Sequence, residues 1–357
     1  MSRFLIGEYQ SLEEYTPGEQ PRDRKYIKLN TNESPYPPSG GVLKAVNSSE
    51  AALLRLYPDP TCSALKDGLA GLFGLKSENV FITNSSDDVL NMAFIAFAGR
   101  SKPAYYADIT YGFYKVFAAL HGCKSVVFPL KKDFKLDYSD YMGLKGGLIA
   151  IANPNAPTGL EISLDEIRKI CKSSPNCVVL IDEAYVDFGG TTAIPLLAEC
   201  ENLIVCRTFS KSASMAGARL GFALSSKELT ADLEKIKYST NPYSVNRITL
   251  AAGEAAVKDA DYYRANCRRI ISTRKKTAKA LADMGFEMTD SKANFLFARY
   301  PGLSGKEIFS RLKESGILVR RFDQAGIEDY LRITIGSESE METLVNTLER
   351  IVGNENG

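Results

Sequence analysis

The chain has 357 residues, 45% hydrophobic and 24% charged, and its 44 Lys and Arg against 43 Asp and Glu leave a formal net charge of +1. That length suits a large core and two domains, and the near-neutral balance gives no electrostatic footprint for nucleic acid or an anionic membrane as partner. A lone histidine, His121, argues against a histidine-based metal site or a Ser-His-Asp triad, so no metal is expected, and seven scattered cysteines without a Cys-x-x-Cys pair suit reduced thiols.

In chain order, residues 1–34 are polar, proline-punctuated and weakly periodic, which predicts an extended arm with at most one short helix. No charged-then-apolar leader follows Met1 and no apolar run could span a bilayer, so a cytoplasmic location is expected. Tyr57-Pro58-Asp59-Pro60 is a break, and a helix is predicted over 63–73. Short apolar runs at 80–82, 104–106, 125–128, 147–151, 178–181 and 203–206 then read as strands. Helical spacing separates several of them, at 87–98, 113–120 and 164–171. Such alternation predicts an α/β fold: a large domain, 35–246, with a mainly parallel mixed sheet covered by helices. After Asn246 the pattern changes to a long amphipathic helix at 261–284, strands at 294–299, 317–320 and 331–335, and helices at 306–314 and 340–352. This predicts a smaller α+β domain over 247–357.

Several strand ends carry the residues on which chemistry can rest. Val178-Val179-Leu180-Ile181 ends in Asp182-Glu183-Ala184-Tyr185, and Leu203-Ile204-Val205-Cys206 ends in Arg207-Thr208-Phe209-Ser210-Lys211, with Arg219 shortly after. In open α/β sheets the carboxyl edge is where ligands bind. A buried carboxylate there needs a cation or a protonated ring nitrogen, although many strand-end aspartates are simply solvated. A lone lysine is usually a surface charge, but Lys211 lies among hydroxyls with an arginine nearby and can serve as a carbonyl-trapping amine. Thr83-Asn84-Ser85-Ser86-Asp87 lies between a strand and a helix, where unpaired first-turn amides can hold a phosphate. Taken alone, it is an ordinary N-cap. Asn153-Pro154-Asn155-Ala156-Pro157-Thr158-Gly159 forms a rigid turn at the same edge, and Asn153 can meet a ring substituent. A carbonyl-trapping lysine, a pyridinium-pairing acid, phosphate-binding hydroxyls and an arginine together point to pyridoxal 5′-phosphate.

These segments resemble those of the fold type I aminotransferases, and among them the histidinol-phosphate aminotransferase family. The resemblance rests on Asn32-Glu33-Ser34-Pro35-Tyr36, Tyr57-Pro58-Asp59, Ser85-Ser86-Asp87, Thr110-Tyr111, the Asn153 turn, Asp182 to Phe188, Arg207 to Lys211, Ala216 to Gly221, Asn294-Phe295 and Leu331 to Gly336. They run in family order over almost the whole chain. The resemblance implies that Lys211 holds the cofactor as a Schiff base and acts as the catalytic base. Asp182 would pair with the pyridine nitrogen, Tyr185 and Asn153 would bond the phenolic oxygen, and Tyr111 would stack on the ring. Ser86, Asp87, Thr208, Ser210 and Arg219 would hold the phosphate, joined by Tyr57 from a neighbouring subunit, which implies a homodimer with shared sites. Arg332 and Arg320 would bind the anionic groups of the substrate, with Tyr15 and Asn32 closing the site from the arm, although Arg321 could be the inward arginine instead of Arg320. The chain departs from the family pattern at Ser85, Asp88, Ile109, Ala156 and Ser214-Met215, none of them a catalytic position.

The activity so implied is transamination from L-histidinol phosphate to 2-oxoglutarate, in histidine biosynthesis. An aromatic amino-acid aminotransferase and a phospho-amino-acid decarboxylase share the scaffold and remain alternatives. A non-enzymatic regulatory module has less behind it, because no basic helix-turn-helix segment precedes the arm.

Overall fold

Residues 4–353 are described in the structure, a computed structural model. The strands are β1 (Ile27–Lys28), β2 (Val80–Thr83), β3 (Ala104–Ala107), β4 (Ser125–Phe128), β5 (Gly147–Ala152), β6 (Cys177–Asp182), β7 (Leu203–Thr208) and β8 (Gly221–Ser225). They are followed by β9 (Glu287–Met288), β10 (Phe295–Arg299), β11 (Ile317–Leu318), β12 (Arg320–Arg321) and β13 (Leu331–Thr334). Seven of them form one sheet in the order β2-β8-β7-β6-β5-β3-β4. Only β8 is reversed, pairing antiparallel with both β2 and β7.

Strand alternation divides the large core in two. Ile149, Ile151, Val179, Ile181, Leu203 and Val205 point to one face and join the helix Ser63–Phe73 and the helix Leu164–Ser173. Leu148, Ala150, Leu180, Ile204 and Cys206 point to the other and meet the helices Ser86–Phe97 and Phe113–Leu120. Burial on both faces is why β5 to β7 read as continuous apolar runs rather than alternating ones. The helix Leu164–Ser173 begins in a capping box, with Ser163 accepting from Glu166 N while the Glu166 carboxylate accepts from Ser163 N at 2.7 Å.

A second core gathers Ile270, Leu281, Leu296, Ile308, Leu312, Ile333, Leu344 and Leu348. It lies between an antiparallel sheet, β12-β13-β10-β9, and the helices Ala260–Asp283, Gly305–Glu314 and Glu338–Gly353. The arm joins it: β1 pairs in parallel with β11, Ile27 opposite Ile317. The strand expected over 317–320 is therefore two, one holding the arm and one, after buried Val319, pairing with β13. The sequence reading also passed over β8 and the helices Gly40–Ala45, Ser48–Ala52, Lys227–Thr240 and Arg247–Lys258. All seven cysteines are free, and no helix among the described residues is long and apolar enough to cross a membrane.

Gly221, the first residue of β8, lies directly under the start of the helix Ser86–Phe97. A Cβ there would come within 2.2 Å of both Ser85 C and Ser86 N. Both are backbone atoms and cannot swing away. Gly221→Ala is therefore expected to destabilise the protein by about 1–3 kcal/mol, the usual cost of overpacking. Chemical denaturation compared with the wild type measures it, and an unchanged midpoint would refute the close approach.

Candidate active site

A cavity of about 240 Å³ opens at the carboxyl edge of β6 and β7, beneath the arm and beside β12 and β13. Its walls include Tyr15, Asn32, Ser86, Asp87, Tyr111, Asp182, Tyr185, Thr208, Ser210, Lys211, Arg219, Arg320 and Arg332. Residues more than three hundred positions apart, Tyr15 and Arg332, thus share one hollow.

Asp182, the last residue of β6, forms the floor. Its carboxylate accepts from the Tyr114 hydroxyl at 3.1 Å and from Ala184 N at 3.2 Å, with no cation in an ion pair among the described residues. Burial pushes its pKa up to about 6, against the pull of those two donors. Lys211 follows β7 and donates from Nζ to Thr31 O at 3.1 Å, 5.7 Å from the centre of the Tyr185 ring. Tyr185 in turn accepts at its hydroxyl from Asn32 Nδ2 at 2.9 Å. Asn32 is fully enclosed: its amide N and its Oδ1 both meet the Thr334 hydroxyl at 3.0 Å, and Asn294 Nδ2 donates to its carbonyl.

At the opposite end, the helix Ser86–Phe97 aims its first turn into the cavity. Ser85, at φ 83°, gives that turn no side-chain cap, so its amides remain for a ligand. Asp87 is the hub: Tyr111 donates to one oxygen at 2.7 Å and Arg219 to the other at 2.9 Å. Thr208 and Ser210 are joined through their hydroxyls at 3.0 Å. Tyr15, from the arm, stacks on Phe113 at 4.2 Å and lies 6.2 Å from Tyr111.

The third wall is cationic. Arg320 and Arg332 stand directly opposite each other in the β12–β13 ladder. Neither has an acidic partner among the described residues: Arg320 donates to Thr16 O and Pro17 O at 2.9 and 3.0 Å, and Arg332 to Asn30 O at 3.2 Å. Arg332 Nε is buried without any acceptor. Burial, and then the neighbouring Arg320, hold the Arg332 pKa below its ordinary value. Arg321 pairs with Asp323 and does not line the cavity, so Arg320 is the inward residue.

Two of the residues expected in the site stand apart from this cavity. Strand alternation turns Asn153 to the face opposite Ala152 and Asp182. There its amide pairs with the backbone of Ile162, accepting at 2.9 Å and donating at 3.3 Å. Tyr57 is 78% exposed and stacks on Tyr243 at 4.6 Å, outside the cavity. Conversely, Tyr114 and the carbonyls of Thr31 and Asn30 belong to the site and escaped the sequence reading. A buried tyrosine on an apolar helix face looks like core, and a backbone oxygen leaves no sequence signal.

The family model for aminotransferase class I and II matches residues 24–348. The histidinol-phosphate aminotransferase of Brachyspira hyodysenteriae is 46% identical over 355 residues, covering 99% of this chain and 100% of that relative. That of Clostridium acetobutylicum is 44% identical over 352 residues, with 99% and 100% covered. The chain belongs to the class I and II aminotransferases. Among solved structures, the histidinol-phosphate aminotransferase from Sinorhizobium meliloti in complex with pyridoxal-5′-phosphate superposes with a TM-score of 0.88, at 26% identity and 99% coverage of both chains.

Aminotransferases of this family depend on pyridoxal phosphate, and the residues present fit it. Asp182 is a buried acid with no cation of its own, the acceptor that a protonated ring nitrogen requires. The uncapped helix start and Arg219 suit a phosphate. A primary amine, Lys211, reaches the space between them.

The floor acid has a consequence for the cofactor-free protein. Its native pKa lies above its ordinary 3.8, so the ionised form costs stability. The cost is absent below the unfolded value, grows as pH rises toward 6, and is complete above it. Asp182→Asn should therefore stabilise the cofactor-free protein by about 2–3 kcal/mol at pH 8. The gain should fade as pH falls through 6 to 4. Urea melts at both pH values check this; a gain independent of pH would refute it.

Proposed function

We propose that the protein transfers the amino group of L-histidinol phosphate to 2-oxoglutarate, as a homodimeric cytoplasmic enzyme of histidine biosynthesis. The observation that carries the reading is the pair Arg320 and Arg332. Like charges directly opposite in a ladder are unfavourable, and a buried guanidinium without an acid is costly. A substrate that alternates between a phosphate-bearing amine and a dicarboxylate supplies the missing anions, which Arg binds bidentately. The relatives named above carry the same substrate in their names. A plain aromatic amino acid brings a single monoanionic carboxylate, whereas a phosphate monoester is nearly dianionic and has oxygens enough to meet both guanidiniums.

When bound, pyridoxal phosphate supplies an electron sink for the carbon that carries the amino group. Asp182 keeps a proton on the ring nitrogen, and Tyr111 covers the ring face. Ser86 and Asp87 at the helix start, with Thr208, Ser210 and Arg219, hold the phosphate. Tyr185 would orient the phenolic oxygen. Lys211 Nζ would take the proton from the amino-bearing carbon and deliver it to the cofactor's C4′. Tyr15 and Asn32 exclude water from above. In this division of labour residues 35–246 carry the cofactor, while 247–357 and the arm, 1–34, select the substrate. Tyr57 would complete the phosphate site of a second copy. Its exposure, beside exposed Leu54, Leu56 and Tyr243, supports that partner.

Lys211→Ala is expected to lose the visible absorbance of bound cofactor and at least about 10³-fold in turnover, the upper range for a positioned base. Borohydride reduction followed by peptide mapping locates the attachment, and modification of another lysine would overturn the assignment. Arg332→Ala and Arg320→Ala should each raise substrate KM by about 10- to 150-fold, the value of one charge-assisted hydrogen bond of about 1.5–3 kcal/mol. Cofactor retention should persist in both. A panel of histidinol phosphate, phenylalanine, tyrosine and phosphothreonine separates the readings. Good turnover of phenylalanine with none of histidinol phosphate would sink the proposal, as would carbon dioxide release without a 2-oxo acid.

A further inference from the structure

Much of what holds Lys211 from behind lies on the side of the sheet away from the cavity. Alternation along β7 turns Thr208 to the cavity and Arg207 to the opposite face. Arg207 is buried, ion-paired with Asp187, and 3.9 Å from Glu183. Glu183 is itself held by the Thr192 hydroxyl at 2.7 Å and by Ala193 N. The second oxygen of Asp187 accepts from Ser212 Oγ at 2.5 Å. Burial works to raise the Asp187 pKa, but Arg207 and the Ser212 hydroxyl together hold it below the ordinary carboxylate value, so the acceptor stays charged.

The positions of the two ends give this chain of bonds its meaning. Ser212 directly follows Lys211. Asp187 lies in the 3₁₀ turn Val186–Phe188, whose preceding residue is Tyr185. The Ser212–Asp187 bond therefore ties the lysine loop to the tyrosine turn from the rear. On the cavity side both residues are tied to the arm, Lys211 to Thr31 O and Tyr185 to Asn32 Nδ2. An entering substrate amine competes with those front contacts. It does not touch the rear one.

We propose that Asp187, anchored by Arg207, is a positioning residue that fixes the spacing of Lys211 and Tyr185 across the site by holding the Ser212 hydroxyl. A purely structural role fits less well. The Ser212 contact is the open end of the chain: the Asp187 side chain is 41% exposed beside a cavity of about 410 Å³ behind the sheet, so that one hydrogen bond contributes little to stability, whereas the buried Arg207 end is structural. Misplacement of a reacting group by a fraction of an ångström, by contrast, is felt directly in the rate.

The proposal rests on Lys211 being the cofactor-bearing base, and the experiment keeps the two apart. Ser212→Ala removes one partly exposed oxygen and leaves the fold intact. In the cofactor-loaded protein it should lower kcat about tenfold with donor KM within twofold. It should also shift the pH midpoint of the bound cofactor's visible absorbance. Asp187→Asn should do the same, and Ser212→Thr, which keeps the hydroxyl, should restore both readouts. Wild-type kcat and midpoint in Ser212→Ala and Asp187→Asn would overturn the proposal. So would a change confined to the melting temperature, or a failure of Ser212→Thr to restore. If Lys211→Ala, run alongside, keeps the absorbance band, it is the underlying assignment that has failed.

Discussion

A carboxylate at the end of a strand buried on both faces must find a cation, hydrogen-bond donors or a proton. Asp182 has two donors and no cation, and it sits at the bottom of the cavity with its pKa raised. Among the described residues no cation completes it; a protonated ring nitrogen would. The rest of the site is laid out around that requirement. The parallel strands β6 and β7 run side by side, with Asp182 opposite Cys206 in their register, so the lysine that follows β7 emerges one strand away from the acid. Reversed β8 brings Gly221 under the helix start at Ser86 and follows directly on Arg219. The acid, the amine and the phosphate cradle therefore open on one cavity.

Alternation along the strands decides which residues share that hollow. Thr208 and Asp182 have the parity of the face that carries Cys206 and Leu180, and they line the cavity. Arg207 and Glu183 have the other parity and build a charged cluster behind it. Asn153 belongs to the rear parity too, which is why its amide meets Ile162. One period-two rule thus separates the groups that line the cavity from those behind the sheet.

Much of this was legible in the residues. The central strands β5, β6 and β7 were placed within two residues because continuous apolar runs mark strands buried on both faces. The cavity gathers Lys211, Asp182, Tyr185, Tyr111 and Arg219 because each lies at or near the end of a strand or the start of a helix. Other features needed three dimensions. The reversal of β8 depends on pairing with β2, over a hundred residues earlier. The split of 317–321 depends on the arm claiming Ile317 and Leu318. The helix Lys227–Thr240 carried a readable signal, with Leu229, Leu233 and Ile236 at helical spacing and Ser226 as its cap, but its many charges masked it. The parity of Asn153 could have been counted from Ile151; what it pairs with could not.

The arm is the least regular segment, yet it holds three of the four cations that line the site. Thr31 O accepts from Lys211, Asn30 O from Arg332, and Thr16 O and Pro17 O from Arg320. Carbonyl oxygens answer a physical conflict. Cations this enclosed need acceptors, or their desolvation is uncompensated. Carboxylates would meet that need but would neutralise the charge that an anionic substrate has to feel. Neutral acceptors meet most of the donors, Arg332 Nε excepted, leave the positive potential in place, and would give way to phosphate or carboxylate oxygens that bond more strongly. An irregular segment suits the task because its carbonyls are not already committed to a ladder or a helix. The lack of regular structure over most of the arm is then what the chemistry of the roof requires.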